Sequence, residues 1–166
     1  VLPGNPLNNN RWTDFPAISI TEDELFLTVN LIIPGVSWQV GFDGSVIWQM
    51  DKSQGFAGDS VLTNTLWSDI RHNGKYTRNL HPVMGIDGAA KKAFFLSNRN
   101  FDITNDTVFV MQVTGQQDDP NTTLLVKSAT TNLNYGVPPN GRQQDTDLND
   151  PTKGLQTNDA RVLGAI

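Results

Sequence analysis

Cysteine, long apolar runs and clusters of basic residues are all absent from this chain of 166 residues. The missing cysteine excludes disulfides and thiolate metal sites. No apolar stretch approaches the ~20 residues of a membrane helix. The net charge of −5 and the lack of Lys/Arg runs argue against a nucleic-acid binder that tracks phosphates. They argue equally against a polybasic patch on a membrane surface.

Charged residues in general, and glutamate in particular, are scarce. Only 17% of the residues are charged, and the acids comprise 15 Asp but 2 Glu. Glu favours helix interiors, whereas Asp competes for backbone hydrogen bonds and prefers turns. Fourteen Gly and nine Pro point the same way. The composition therefore predicts few or no helices.

Short apolar segments separated by turn residues predict many strands. The predicted strands are residues 17–20, 25–33, 45–50, 83–86, 92–97, 107–113, 123–128 and 161–166. Asp87-Gly88 is a hairpin signal, and residues 134–159 are predicted to form a long polar loop. Strands at this density are typical of an all-β sandwich, barrel or propeller.

An internal repeat distinguishes among these folds. Residues 12–20, 78–86 and 158–166 align without gaps, and each segment ends on an apolar, a small and an apolar residue. In the first two units a second strand follows (25–30 and 93–98), and then a third (46–51 and 108–113). This pattern predicts repeated four-stranded antiparallel units, as in the blades of a partial β-propeller.

The repeat divides the chain into three parts. Residues 1–77 form a first blade-like unit, residues 78–157 a second one that includes the polar loop 134–157, and residues 158–166 the first strand of a third. A closed propeller needs about 4 to 8 blades, and the chain begins at Val1 without Met or a signal peptide. We therefore expect a segment of a larger protein. Its open sheet edges would pair with the remaining blades of the parent protein or with neighbouring chains.

Three segments carry a resemblance to a known group of proteins. Residues 12–31 (WTDFPAISITEDELFLTVNL), 79–82 and 155–162 resemble large secreted bacterial β-propellers of the broad sialidase-like, or BNR-like, group. The sialidase Asp-box, Ser-x-Asp-x-Gly-x-Thr-Trp, is not present, and residues 42–48 only loosely echo it.

The resemblance implies a secreted or cell-surface location and a non-catalytic module that binds a glycan or a protein. A sialidase-like glycoside hydrolase or lyase is the alternative. A capsid or surface-layer β protein, whose open edges pair with neighbouring chains, is a further one.

Candidate ligand-binding residues follow from the repeat. In the propellers that the chain resembles, the inner strand begins at the ligand-binding face. Phe15, His81 and Arg161 occupy equivalent positions there, and Arg78 lies nearby. Arginine clamps a carboxylate with two hydrogen bonds, and histidine acts as acid or base near neutral pH. Alternatively, these residues pair with neighbouring Asp and hold the junction between blades.

The loops between second and third strands are predicted to open on the same face. Trp38 lies in the first loop and Phe101 in the second, where each can stack on a sugar ring. Arg99 and Asn100 precede Phe101 as hydrogen-bond donors. Alternatively, the two aromatic rings pack against the next blade.

One acidic segment resembles a calcium loop. Asp145, Asp147 and Asn149 place oxygen atoms at alternate positions, and oxygen ligands suit Ca²⁺. No Gly occupies the sixth position and Pro151 follows directly, so the segment is no EF-hand. A solvated acidic loop is the alternative. Apart from Ca²⁺ the sequence indicates no cofactor, and it singles out no catalytic residue.

Overall fold

The fold is built almost entirely from antiparallel strands. A computed structural model describes residues 2–84, 92–141, 154–157 and 159–166. Strands account for 48% of the residues and helix for 4%, which confirms the prediction of few helices. The strands are β1 (Trp12–Ile20), β2 (Glu24–Ile32), β3 (Phe42–Asp51), β4 (Asn64–Trp67), β5 (Arg71–His72), β6 (Lys75–Tyr76), β7 (His81–Pro82), β8 (Lys92–Asn98), β9 (Asn105–Thr114) and β10 (Thr123–Tyr135).

Two four-stranded sheets follow one another along the chain. The first sheet has the order β1-β2-β3-β4 and the second the order β10-β9-β8-β7, with every neighbouring pair antiparallel. The small hairpin β5-β6 lies between them in the sequence. Each large sheet is thus a simple meander, as the repeated four-stranded unit requires.

The strand registers correct one detail of the repeat. Phe26 pairs with Gln49 in the first sheet, and Phe94 pairs with Gln112 in the second. If Phe26 is equivalent to Phe94, Gln49 is therefore equivalent to Gln112. The predicted alignment of residues 46–51 with 108–113 is one residue out of register, because apolar runs of similar length align equally well at either offset.

One further prediction differs from the structure. Residues 161–166 form no strand, because their described backbone pairing is limited to the bond from the Met84 N–H to the Ala165 carbonyl at 2.8 Å. Trp12 is 45% exposed on the edge strand β1. His72 packs its ring 5.1 Å from that of Phe109. The hairpin signal Asp87-Gly88 lies outside the described residues.

A short helix, α1 (Lys52–Ala57), follows β3 directly. Asp51 caps its N-terminus by accepting a hydrogen bond from the Ser53 N–H at 2.7 Å, and Gly58 ends it in the left-handed conformation. In the described parts of the chain, no helix is long and apolar enough to cross a membrane.

The core lies between the two sheets. The first sheet contributes Phe26 and Ile47, and the ring of Phe26 meets that of Phe95 edge-on at 5.8 Å. The other buried members are Ile70, Leu80, Ala93, Phe109, Met111 and Val113. A second cluster covers the opposite face of the first sheet and comprises Val29, Leu31, Val46, Trp48 and Met50. The first sheet is therefore apolar on both faces, like an inner layer.

Buried polar groups join the sheets at both ends of the strands. At one end, the Asn30 amide donates to Asn79 Oδ1 at 2.7 Å and accepts from the Asn79 N–H at 2.9 Å. At the other, Glu24 accepts hydrogen bonds from the Gln49 amide at 2.6 Å and from the Gln117 N–H. Burial raises the pKa of Glu24, although both hydrogen bonds oppose this shift.

Candidate functional site

The loops that follow the second strand of each sheet meet at one end of the molecule. Residues 33–41 connect β2 to β3, and residues 99–104 connect β8 to β9. Trp38 of the first loop and Phe101 of the second have ring centroids 5.6 Å apart. Both side chains are half-buried, so each ring remains partly accessible.

Arg78 lies between two aromatic rings at this end. Its guanidinium carbon is 4.3 Å from the ring centroid of Phe42 and 4.9 Å from that of Phe101. Burial lowers the pKa of Arg78. Attraction to Asp159 opposes this shift, and repulsion from Arg99 and Arg161 adds to it. Arginine nevertheless stays protonated. Arg78 forms no ion pair with any described residue, so its donors remain able to bind an anion.

Arg161 is held differently. Its guanidinium lies 4.7 Å from the ring centroid of Phe15 and 5.2 Å from that of Trp38. Nε and Nη2 donate to the two oxygens of Asp159 at 2.8 and 2.5 Å. Burial opposes ionisation of Asp159, but these bonds outweigh it and lower the pKa of its carboxyl. This ion pair agrees with the alternative given for Arg161 in the sequence analysis, in which the arginine pairs with a neighbouring Asp.

Phe15 reaches Arg161 because β1 is irregular. The pairing of β1 with β2 shifts register between Asp14 and Ala17, and Phe15 has a φ of 52°. A bulky residue at positive φ is strained, and bulges of this kind redirect side chains near functional sites. Pro16 inside the strand was the available sequence signal, since proline is confined to strand edges and bulges.

Asn100 is almost fully buried at this end, with 1% exposure. Its amide lies beside Asp159 and helps to lower the pKa of that carboxyl. Among the described residues, neither side-chain polar atom of Asn100 has a partner with hydrogen-bond geometry, and Asn98 Oδ1 also lacks one. Asn98 Nδ2 donates to the Ala160 carbonyl at 2.6 Å.

Of the remaining predicted residues, Arg99 lies close enough to Arg78 to repel its charge, whereas His81 lies apart from the other candidates. Arg99 has its guanidinium 4.8 Å from the ring centroid of Phe109, and its N–H donates to Tyr135 Oη at 3.0 Å. His81 pairs with Leu96, and its Nδ1 lies 3.0 Å from the Pro82 carbonyl oxygen. No described contact joins His81 to the other candidates.

We call the assembled residues the arginine–aromatic cluster. It comprises Phe15, Trp38, Phe42, Arg78, Arg99, Asn100, Phe101, Asp159 and Arg161. Seven residues singled out from the sequence are brought together in it, namely Phe15, Trp38, Arg78, Arg99, Asn100, Phe101 and Arg161. Phe42 was missed, although its place directly after the first loop was a usable signal.

Three of the predicted site residues are the candidate calcium ligands. Asp145, Asp147 and Asn149 lie outside the described residues. Within the described ranges, no group of three or more His, Asp or Glu side chains is placed to hold a metal ion.

Two grooves lie away from the cluster. An acidic groove of about 740 Å³ lies at the other end of the strands, and its charged lining residues are Glu22, Asp23, Glu24, Asp51, Lys52 and Asp118. An apolar groove of about 670 Å³ lies on the outer face of the first sheet. Its apolar lining includes Leu2, Ile18, Leu25, Leu27, Trp48, Met50, Leu62 and Leu66.

Comparisons with protein-family models, with curated proteins and with solved structures found no match to this chain. The resemblance to sialidase-like propellers therefore stays a prediction.

Proposed function

We propose that this chain is a segment of a secreted or cell-surface β-propeller. In this proposal it acts as a non-catalytic binding module. Its arginine–aromatic cluster holds a ligand that carries a carboxylate, and an acidic glycan fits the cluster best. The observation that carries the proposal is Arg78, a half-buried guanidinium that lies between two aromatic rings without an ion pair among the described residues.

The way the two sheets pack supports a propeller. Phe26 and Ile47 of the first sheet face the second sheet. By the strand registers, their equivalents in the second sheet are Phe94 and Val110, which lie on its other face. The sheets therefore pack through non-equivalent faces. A contact between non-equivalent faces can be repeated from unit to unit, and it closes into a ring when the rotation between successive units allows. In a sandwich with two-fold symmetry, by contrast, equivalent faces pack on each other.

A recurring polar contact supports the same arrangement. Asn30 ends the second strand of the first unit and binds Asn79, which begins the second unit. Asn98 is the equivalent of Asn30, and it binds Ala160 at the predicted start of the third unit. Each unit is thus tied to the next by an asparagine at the same repeat position.

The charge of the cluster supports an acidic ligand. It holds three of the six arginines in a chain whose net charge is −5, and its described part contains one carboxylate, Asp159. A carboxylate on Arg78 would form charge-assisted hydrogen bonds that are each worth about 1.5–3 kcal/mol. The neighbouring faces of Trp38 and Phe101 suit a sugar ring.

Catalysis has less support than binding. Glycoside hydrolysis ordinarily needs two carboxyl groups that flank the scissile bond. In the described part of the cluster, Asp159 is already held by Arg161. We therefore prefer a binding module to the sialidase-like hydrolase.

Calorimetric titration with an oligosaccharide of hexuronic acid tests this proposal. We expect binding, and Arg78→Ala should weaken it by about ten- to a hundredfold. Arg71→Ala is the matched control, because Arg71 also covers an aromatic ring, that of Tyr76 at 3.6 Å, but lies outside the cluster and is exposed. Equal binding of a neutral oligosaccharide, or unchanged affinity in Arg78→Ala, would overturn the proposal. Tighter binding of an acidic peptide would overturn the glycan assignment alone.

A further inference from the structure

The turn that follows β9 is hydrogen-bonded to the first unit through successive residues. Gly115, Gln116 and Gln117 come directly after β9, which ends at Thr114. Their partners in the first unit are Gln49 for Gly115, Asp23 for Gln116, and Glu24 and Thr65 for Gln117. We call this set of residues the clasp. Because both sheets contribute to it, the clasp joins them at the end opposite to the arginine–aromatic cluster.

Glu24 is the buried ionisable group of the clasp, with 5% exposure. Its carboxylate accepts hydrogen bonds from the Gln117 N–H and from the Gln49 side-chain amide at 2.6 Å. The orientation of Gln49 is fixed in turn, since its Oε1 accepts from Trp67 Nε1 at 2.9 Å and its Nε2 also donates to the Gly115 carbonyl at 3.0 Å. Glu24 is therefore held by fixed donors but is removed from the water that ordinarily solvates a carboxylate.

The charges around Glu24 are mostly of its own sign. Among the described residues, charged side chains line the same groove from every segment that carries one there. The turn before β2 contributes Glu22 and Asp23, the end of β3 and the start of α1 contribute Asp51 and Lys52, and the turn after β9 contributes Asp118. Burial raises the pKa of Glu24 above the ordinary value of 4.5, repulsion from Asp23 and Asp118 adds to this effect, and the two hydrogen bonds oppose it.

We propose that the clasp is a pH-sensitive joint, which holds the turn after β9 more firmly on the first unit in mildly acidic solution than in neutral solution. A proton on Glu24 removes the charge that is buried among carboxylates. In the unfolded chain Glu24 has its ordinary pKa of 4.5, so in neutral solution the folded protein bears the full cost of the buried charge. That cost disappears as the pH falls through the raised pKa of the folded state. The clasp does not involve the arginine–aromatic cluster, so its tests are independent of ligand binding.

Carbon-13 NMR of the glutamate carboxyl groups tests the uptake of the proton. The acids of the chain include only 2 Glu, so labelled glutamate gives one carboxyl signal for each, and Glu22→Gln identifies that of Glu24. We expect the Glu24 signal to titrate with a midpoint above its ordinary pKa of 4.5. A midpoint at or below that value would overturn the proposal.

Urea unfolding of the wild type and of Glu24→Gln, at about pH 7 and about pH 5, tests the effect on the fold. Glutamine has the shape of glutamate but no charge, and Asp159, whose pKa is lowered, stays ionised throughout this range. The urea midpoint of the wild type, relative to that of Glu24→Gln, should therefore rise as the pH falls. Glu22→Gln is the matched control, because Glu22 is exposed on the same turn, and it should keep the pH dependence of the wild type. A difference between the wild type and Glu24→Gln that is the same at both pH values would overturn the proposal.

Hydrogen exchange of the Gln117 N–H locates the effect and needs no variant. After correction for the intrinsic exchange rate, its protection should increase over the same fall in pH. The Thr77 N–H is the reference, because it donates to the Ile70 carbonyl at 3.0 Å near the other end of the strands. Protection of the Gln117 N–H that changes no more than that of the Thr77 N–H would overturn the proposal.

Discussion

At the scale of single residues, two arginines of the cluster have different partners. Both lie on aromatic rings, but Arg161 is neutralised by Asp159, whose side chain is fully buried, whereas Arg78 has no ion pair among the described residues. The sequence predicted that both arginines lie at the same ligand-binding face, because repeat position and charge can be seen in the sequence. It could not separate their roles, since these depend on which acid or ring folding brings into contact.

The ion pair gives a prediction about pH. Asp159→Asn should destabilise the fold at neutral pH by on the order of 1–2 kcal/mol, the low end for a charge-assisted hydrogen bond because Arg161 reaches solvent. The pKa of Asp159 is lowered from the ordinary value of 3.8. The stabilisation of the fold by ionised Asp159 is therefore complete above the ordinary pKa of 3.8, and it is lost as the pH falls through the lowered pKa of the folded state.

This effect is measured by urea unfolding of the wild type and of Asp159→Asn, at neutral pH and at successively lower pH values. The difference between the two proteins should shrink at low pH. Asp69→Asn is the control, because the Asp69–Arg71 pair is exposed and its loss should leave the midpoint unchanged. A difference between wild type and Asp159→Asn that does not depend on pH would contradict the prediction.

At the scale of strands and loops, the segment that directly follows β10 supports the loop that carries Phe101. The Val137 N–H donates to the Asp102 carbonyl at 3.2 Å. A Cβ atom on Gly136 would overlap the carbonyl oxygen of Ile103. The backbone that directly follows β10 therefore approaches the loop as closely as a glycine permits.

Gly136→Ala should destabilise the protein by about 1–3 kcal/mol, the range for overpacking. It should also weaken anion binding, because the displaced loop carries Phe101. Thermal unfolding and the uronic acid titration measure the two effects. Gly55→Ala is the control, since nothing lies within 4 Å of a Cβ atom on Gly55 and helix propensity favours the change. Equal stability of the two variants would contradict this role for Gly136.

Sequence reasoning found most strands, because alternation and turn residues are local signals. It failed where pairing between distant segments decides the outcome. Residues 161–166 have the composition of a strand but little described backbone pairing. The extension of β10 to Tyr135 was missed for a related reason, since its residues bury no apolar face. Ala129 and Thr130 pair with β9, and the register then shifts before Tyr135 pairs with Asn105.

At the scale of the whole molecule, the two sheets share one core. Phe26 belongs to the first sheet and Phe95 to the second, and both are almost fully buried in the same cluster. Neither sheet can lose this contact without exposing apolar surface of the other. We therefore expect the two units to unfold together rather than one after the other.

A double-mutant cycle at this contact measures the joint between the sheets. Phe26→Ala and Phe95→Ala should each cost about 3–5 kcal/mol. Their effects should deviate from additivity by about 0.5–1.5 kcal/mol, as edge-to-face aromatic pairs do. Phe56→Ala, on the exposed surface of α1, should change little. Strict additivity, or two separate unfolding transitions, would show that the sheets are independent.

The arginine–aromatic cluster and the acidic groove lie at opposite ends of β2, a strand of nine residues. At about 3.3 Å per residue, the two charged regions are roughly 30 Å apart, so the molecule is an electric dipole with its positive pole at the arginine–aromatic cluster. At physiological salt the Debye length is about 8 Å, and an approaching anion senses only the nearby arginines. In ~0.01 M salt the Debye length grows to about 30 Å, and the anion also senses the negative pole. Cationic sites normally bind anions more tightly when the salt concentration is lowered. In this protein we therefore expect a smaller increase in affinity for anions.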